Sequence, residues 1–417
     1  MKAVIARSEV RGSVPAVPSK SHAHRLLIAA ALSPAPCKLV CPVTSRDIDA
    51  TVRCLNALGA RIERTADGFD ITPVDRKNLP LSPTLDCGES GSTLRFLLPV
   101  ACALGVKARF VGEGRLPSRP LGGLADCLTD GGAELTSDRL PLTTGGRLAG
   151  GEFRVRADVS SQYVSGMLFA LAALRRPVRL VTEGDEVSAG YTEMTLSVLR
   201  LFGCDAVRTP SCYRIDGRAM RAPARVKAEG DWSGAAFMLA AGALCGDVTV
   251  TGLDPTSTQR DRAIADILRG MGATVTKGTD FCRATASPLH GLGVDITDTP
   301  DLAPVLSVLM AAASGKSVMK GVLRLRDKES DRLAGICDNL AAMGVKTELS
   351  GDCLAVYGGG LHPFAAKGMG DHRMVMSAAV AALACSGEVT DAEAVGKSYP
   401  AFFDDLKTLG GSVNESL

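Results

Sequence analysis

Aromatic residues are scarce in this 417-residue chain, 4% in all, with a single Trp. No charge of one sign prevails either, since 47 Lys plus Arg stand against 45 Asp plus Glu. A nucleic-acid binder displays a basic surplus and stacking rings, so no nucleic-acid partner is expected. Five histidines fall in no ligand spacing, and no metal site is expected. The thirteen cysteines are odd in number, scattered and free of any CxxC pair. Several of them, such as Cys102, Cys245 and Cys385, lie inside Ala/Leu/Val runs, where a thiol acts as a small apolar group. That usage points to a reducing compartment without a disulfide framework.

Long hydrophobic runs are also missing. The stretches Met374–Cys385 and Phe237–Cys245 fall short of the ~18 to 20 residues that span a bilayer, so no membrane partner is expected. Arg25, Leu26–Leu32 and Ser33-Pro34-Ala35-Pro36-Cys37 imitate a signal peptide, but the prolines and the repeat described next count against it. Nucleotide fingerprints are absent as well. Gly88-Glu89-Ser90-Gly91-Ser92 lacks the Lys of a Walker loop, and Gly358-Gly359-Gly360 reads as a loop. No nicotinamide, flavin, ATP or other cofactor is expected.

What is present is a globular composition, 46% hydrophobic and 22% charged, and a repeat. Leu, three residues, then Gly recurs at Gly59, Gly132, Gly203, Gly272, Gly344 and Gly410, at intervals of 66 to 73 residues. Glycine just past an amphipathic run is a helix C-cap, because it alone turns left-handed without steric strain. Six caps at near-constant spacing predict six copies of one unit. Each copy also holds a helix apolar nearly all round, at His24–Leu32, Thr93–Leu104, Gln162–Leu174, Ser233–Leu244, Leu302–Ala313 and Arg373–Ala384. A helix without a polar face is buried on all sides. Val-rich strands follow at Val106–Val111, Pro177–Val181, Asp247–Val250 and Ser317–Met319. The fold class is therefore α/β, most simply two domains of three units. Ser211–Glu229, polar and Arg/Ala-rich, reads as the connection between halves.

Chemistry collects where the buried helices begin. Ser, Thr and Asp at these starts serve as N-caps, worth about 1 kcal/mol each. Capping does not account for the cations Lys20, Arg25, Arg119, Lys328, Arg332, Arg373 and Lys397. Positive charge at the positive end of a helix calls for an anion. Lys20, Gly91, Ser160 and Ser161 are expected to face Asp301, Lys328, His372 and Arg373 across a gap. The implied ligand is small and heavily anionic. Asp301, Glu329 and the nearby Asp231 are groups that can move protons.

The motifs Pro18-Ser19-Lys20-Ser21-His22-Ala23-His24-Arg25, Gly-Ser-Thr-Leu-Arg around Gly91, Ser118-Arg119-Pro120-Leu121, Ser160-Ser161-Gln162, Lys328-Glu329-Ser330-Asp331-Arg332, Asp371-His372-Arg373-Met374 and Gly396-Lys397-Ser398-Tyr399-Pro400 resemble the 5-enolpyruvylshikimate-3-phosphate synthase family, in family order. The resemblance implies two domains of three repeated units, of the inside-out α/β barrel type, with an active-site cleft between them. Residues 1–19 would join 229–417 in the C-terminal domain, and 20–228 would form the N-terminal one. It implies transfer of the enolpyruvyl group of phosphoenolpyruvate to the 5-hydroxyl of shikimate 3-phosphate, with release of phosphate, on the route to aromatic amino acids.

By the same resemblance Ser21 and Arg25 hold the shikimate carboxylate, and Ser160, Ser161 and Lys328 its phosphate. Gln162, Ser188 and Tyr191 position the ring. Lys20, Arg119, Arg332, Arg373 and Lys397 clamp phosphoenolpyruvate beside Gly91, with Gln162 near both substrates. Asp301 is the implied base for the attacking hydroxyl. Glu329, assisted by Lys20 or His372, delivers a proton to the methylene carbon. A cytoplasmic monomer acting on these small anionic substrates is the expectation, and the Met1-Lys2-Ala3-Val4 start leaves no room for a transit peptide.

Three positions depart from the family pattern. Glu89 stands where Asn is frequent, Tyr163 where Arg is frequent, and Arg324 where an Asn can contact shikimate phosphate. Gly91 is retained, and with it an expected inhibition by glyphosate. The sister transferase acting on UDP-N-acetylglucosamine carries a reactive Cys before its Arg-Pro. Here the loop Gly112–Arg119 has none, and Lys20-Ser21 replaces its Lys-Asn. A non-catalytic ring would have no use for Asp301, Glu329 and His372 among the cations, whereas a simple anion-binding protein stays open as an alternative that would bind both phosphates without turnover.

Overall fold

The computed structural model describes residues 1–416. The chain divides into two compact units, one made of residues 20–228 and the other of residues 1–19 with those from 229 onward.

Each unit repeats one motif three times. A strand leads into a buried helix, a second strand returns parallel to the first, an amphipathic helix follows, and a hairpin closes a four-stranded sheet. In the copy around Gly91, Thr84–Asp86 runs parallel to Arg109–Val111, which pairs antiparallel with Leu142–Gly146. Across Gly246–Thr251 every second residue is buried, the period-2 signature of a sheet with one face on the core.

The buried helices are Lys20–Leu32, Gly91–Leu104 and Ser161–Ala173 in the first unit, and Trp232–Cys245, Ala303–Ala312 and His372–Cys385 in the second. Leu26, Leu97, Leu168, Leu239, Leu306 and Val380 are wholly inaccessible. Small residues let these helices press together. A Cβ at Gly166 would stand 2.1 Å from the Arg95 carbonyl oxygen, so only glycine permits the approach that sets Phe96 and Phe169 with ring centroids 6.0 Å apart. In the second unit Phe402, at the start of the helix Phe402–Thr408, lies edge-on to Phe237 at 6.4 Å and to Tyr399 at 5.6 Å.

All six repeat glycines adopt positive φ, from +71° at Gly203 to +100° at Gly272, as the left-handed cap requires. The strand predicted from Val106 begins only at Arg109.

Ser211–Glu229 is not simply a connection. Cys212–Ile215 completes a sheet beside Val178–Glu183, and Arg225–Lys227 pairs parallel with Cys37–Val40. Three alternating residues, Arg-Val-Lys, are too short and polar to announce a strand. The reason for this strand is an exchange. Val10–Pro15 precedes the first buried helix, yet it pairs with Gly246–Thr251 of the other unit, and Arg225–Lys227 takes its place in the first unit. At the crossings Ser19 N donates to the Glu229 carbonyl at 2.7 Å and Asp231 N to the Val17 carbonyl at 2.8 Å. The last sheet is likewise finished by the N-terminal strand Lys2–Ala6, between Gly387–Thr390 and Ser412–Ser416.

All thirteen cysteines are free thiols, nine of them buried. Among the described residues no helix is long and apolar enough to cross a membrane.

Candidate active site

No buried helix carries an acid in its first turn, so an anion is the natural complement of these positive ends. Ser90, Ser160, Asp231 and Asp371 cap four of them through hydrogen bonds from first-turn amides.

In the unit of residues 20–228, Lys20 opens the first helix and its Nζ lies 2.9 Å from Asp47 Oδ2. One turn on, Arg25 is 2% exposed. Its hydrogen bonds go to neutral oxygens: Thr195 Oγ1 at 2.7 Å, the Ser21 carbonyl at 2.7 Å, the Tyr191 carbonyl at 2.9 Å and Ser165 Oγ at 3.4 Å. The guanidinium sits over the Phe96 ring, 5.0 Å from its centroid. Burial pulls its pKa down to about 10, because these partners offset desolvation only in part.

Two further guanidinium groups converge on Gly91. A Cβ there would stand 2.7 Å from Arg95 Nη1 and 2.9 Å from Arg119 Nη1, so the missing side chain makes room for both. Arg95 is buried against the Tyr163 ring, 6.0 Å from its centroid. Gln162 ties the third helix to the second, its Nε2 donating to Ser92 Oγ at 3.0 Å. Ser188 is buried in a left-handed conformation before the helix that carries Tyr191.

The second unit gathers cations of a different kind. Arg332 is 2% exposed and grips Asp371 with two nitrogens, Nε at 2.8 Å and Nη2 at 3.3 Å. Its third nitrogen, Nη1, reaches Asp301 Oδ1 at 2.9 Å, and Arg373 Nη2 lies 3.0 Å from Asp301 Oδ2. Burial pushes the Asp301 carboxyl upward, but Arg373, Arg332 and Lys328 outweigh it and hold the group well below the usual carboxylate range. Glu329 Oε2 contacts His372 Nδ1 at 2.9 Å, and Lys397 Nζ donates to the Gly370 carbonyl at 2.7 Å. Beneath them Asp261 accepts a hydrogen bond from Ser233. Burial, then the charge of Asp301, pushes Asp261 up to about 7.

Asp301 thus stands as an internal anion between two arginines. Ligand anions that draw those arginines away would release a carboxylate whose basicity rises as its countercharges leave. A base unmasked by its substrate is chemistry suited to deprotonating a hydroxyl.

A family model described as EPSP synthase (3-phosphoshikimate 1-carboxyvinyltransferase) matches residues 4–406. The chain belongs to the EPSP synthase family. A relative from Natronomonas pharaonis named 3-phosphoshikimate 1-carboxyvinyltransferase is 38% identical, over 99% of each chain. One of the same name from Clostridium novyi is 34% identical, over 98% of this chain and 97% of its own. Among solved structures, EPSP synthase from Acinetobacter baumannii matches with a TM-score of 0.82 at 22% identity over 100% of both chains. The enolpyruvyl transferase NikO from Streptomyces tendae matches at 0.76 and 20%, over 100% of this chain and 98% of its own. At those identities the structures speak for the fold.

Within this EPSP synthase family chain, Lys20, Gly91, Ser160, Ser161, Gln162, Ser188 and Tyr191 lie at helix starts of the unit 20–228 and Arg332, His372 and Arg373 at helix starts of the other, whereas Arg119, Lys328 and Lys397 lie at the ends of short 3₁₀ helices. The departures find places too. Tyr163 stacks on Arg95 and its hydroxyl donates to the Pro120 carbonyl at 3.4 Å. Arg324 Nη1 donates to the Thr297 carbonyl at 2.9 Å, just before Asp301. The Glu89 carboxylate lies over Gly114, where a Cβ would meet Oε2 at 2.5 Å. Sequence reasoning assigned no role to Asp47, Arg95 or Asp261, and none beyond capping to Asp371. Arg95 left a signal, as a lone cation inside an apolar helix. Asp47 and Asp261 left none, since they sit in segments where acids read as solvated.

Proposed function

We propose that this protein transfers the enolpyruvyl group of phosphoenolpyruvate to the 5-hydroxyl of shikimate 3-phosphate, giving 5-enolpyruvylshikimate 3-phosphate and phosphate, in aromatic amino-acid biosynthesis. The observation that carries this reading, beside the family match, is the set of buried guanidinium groups at helix starts that hold no acid in their first turns. Each substrate bears a carboxylate and a phosphate monoester, close to three negative charges at neutral pH. Fixed cations in a preorganised site offset the repulsion between two such anions.

On this reading Ser21 and Arg25 take the shikimate carboxylate, and Ser160, Ser161 and Lys328 its phosphate. Gln162, Ser188 and Tyr191 orient the ring. Lys20, Arg119, Arg332, Arg373 and Lys397 take phosphoenolpyruvate against Gly91. Asp301 accepts the 5-hydroxyl proton as the oxygen attacks C2 of the enol. Glu329, with Lys20 or His372, supplies the proton that converts the methylene to a methyl. The tetrahedral intermediate then expels phosphate as a methyl proton leaves and the double bond re-forms. The reaction is redox-neutral and needs no cofactor. The free thiols support a reducing, cytoplasmic setting.

The test is phosphate release from phosphoenolpyruvate with either shikimate 3-phosphate or UDP-N-acetylglucosamine as acceptor, with the product mass recorded. Release only with the shikimate ester, and a product heavier by one enolpyruvyl group, is the expected result. Release only with the nucleotide sugar would assign the chain to the sister activity.

A further inference from the structure

We infer that His24 is a positioning residue: through Thr51 and Thr93 it fixes the start of the Gly91–Leu104 helix against the start of the Lys20–Leu32 helix, and so shapes the place where Lys20, Gly91 and Arg119 take phosphoenolpyruvate. The identity of that ligand rests on the function proposed above.

The geometry is a ladder with two rungs. Lys20 and His24 are four residues apart on one helix. Asp47 and Thr51 are four apart on the helix Arg46–Ala57, so each pair shares a face. The first rung is Lys20 Nζ to Asp47 Oδ2 at 2.9 Å. The second is His24 Nδ1 to Thr51 Oγ1 at 2.7 Å. The second rung continues into a third helix: Thr51 Oγ1 meets Thr93 Oγ1 at 2.7 Å, and Thr93 Oγ1 meets Ser90 Oγ at 2.7 Å. Ser90 caps the Gly91 helix by accepting from Thr93 N at 3.2 Å. His24, Thr51, Thr93 and Ser90 are all buried.

The chain has one direction. Burial, aided by the charges of Lys20 and Arg25, holds His24 well below the usual imidazole range, so the ring carries a single N–H. His24 Nε2 is buried without a hydrogen-bond partner. An orphaned N–H there would be worse tolerated than an orphaned lone pair, which places the proton on Nδ1. Nδ1–H then donates to Thr51, Thr51 to Thr93 and Thr93 to Ser90. Each hydroxyl spends its one proton forward, leaving Ser90 oxygen fixed as the acceptor that caps the helix. A reversed chain would require the proton on Nε2. His24 therefore sets the polarity as well as the spacing of the network.

The test combines two measurements. In the first, His24→Leu and Thr51→Val, singly and together, are compared with His24→Asn, which restores a donor near the Nδ1 position. Each single variant is expected to raise KM for phosphoenolpyruvate roughly tenfold while leaving KM for shikimate 3-phosphate within about twofold. The double variant should be no worse than the weaker single, and His24→Asn should recover most of the loss. Equal rises in both KM values, or multiplying effects in the double variant, would reduce the network to general packing and overturn the inference. Thr51→Val keeps the test alive should His24→Leu fail to fold.

The second measurement is ¹⁵N NMR of His24 in the free protein. The Nδ1–H tautomer, unchanged between about pH 6 and 8, is expected. An Nε2–H tautomer, or titration in that range, would overturn the inference whatever the enzyme's substrate. Wild-type protein that releases no phosphate would sink the functional reading instead, and the spectrum would still decide the network.

Discussion

The two units hold their buried arginines in opposite ways. In the second unit Arg332 and Arg373 are neutralised from within, by Asp371 and Asp301. In the first, Arg25 lies among hydroxyls, carbonyls and aromatic faces, and its pKa falls to about 10 as a result. Arg95, buried against Tyr163, is likewise shifted down by burial. A buried ion pair is self-sufficient, and it must be broken before its arginine can serve a ligand. A buried arginine among neutral groups has no internal counter-ion, and an anionic ligand would supply one. On the proposed function, the first arrangement would couple binding to the release of a base, and the second would store unfavourable desolvation that an anion relieves.

The largest effect expected from breaking this contrast is on turnover. Asp301→Ala and Glu329→Ala should each lower kcat by about 10²- to 10⁴-fold while shikimate 3-phosphate still binds. Asp301→Ala should bind phosphoenolpyruvate no more weakly than wild type, because a competing carboxylate has gone. Steady-state kinetics with calorimetric binding checks both, and wild-type turnover would remove these acids from the mechanism.

Next comes stability. Arg332→Met leaves Asp371 at 0% exposure without its guanidinium and should lower unfolding free energy by about 3 to 5 kcal/mol. Arg25→Met strands no acid and should shift it by less than about 1.5 kcal/mol, yet weaken shikimate 3-phosphate binding roughly 10- to 100-fold. Urea melts of the two variants side by side measure the contrast directly, and equal losses would erase it.

The smallest effect concerns pH. Asp261, raised to about 7, keeps in the folded state a proton that the unfolded chain releases above about pH 4. The native state binds more protons between those values, so this group's contribution to stability is full below about pH 4 and declines as pH rises toward 7. Asp261→Asn removes the decline. Its stability relative to wild type should therefore rise from pH 4 to pH 7, as read from denaturant midpoints across that range, and a flat difference would show that Asp261 is already ionised.

Much of the fold was legible because glycine is nearly alone in tolerating a left-handed helix end. Gly59, Gly132, Gly203, Gly272, Gly344 and Gly410 all do so, and their spacing alone counted the units. The cations of the candidate site were legible because Lys20, Arg332 and Arg373 contradict the ordinary charge preference of a helix start. Their partners were not. Asp371 meets Arg332 from 39 residues away, and His24 meets Thr93 only through Thr51. Such pairings depend on how three helices pack, and no local pattern encodes that. The strand Arg225–Lys227 was hidden because its three residues serve a sheet that began near Cys37.

The exchange of strands has a consequence for the order in which the protein is made. Residues 20–228 contain every strand of their own three sheets, so that half can close while the ribosome is still translating the rest. The other half cannot. Its strands Lys2–Ala6 and Val10–Pro15 are made before residues 20–228, but their neighbours Gly246–Thr251, Gly387–Thr390 and Ser412–Ser416 are made after them. Val10–Pro15 must wait until residue 251 has been made, and Lys2–Ala6 until residues 387 and beyond. A gene fragment for residues 20–228 is thus a self-contained folding module, whereas one beginning at 229 lacks two strands and needs the N-terminal peptide supplied in trans.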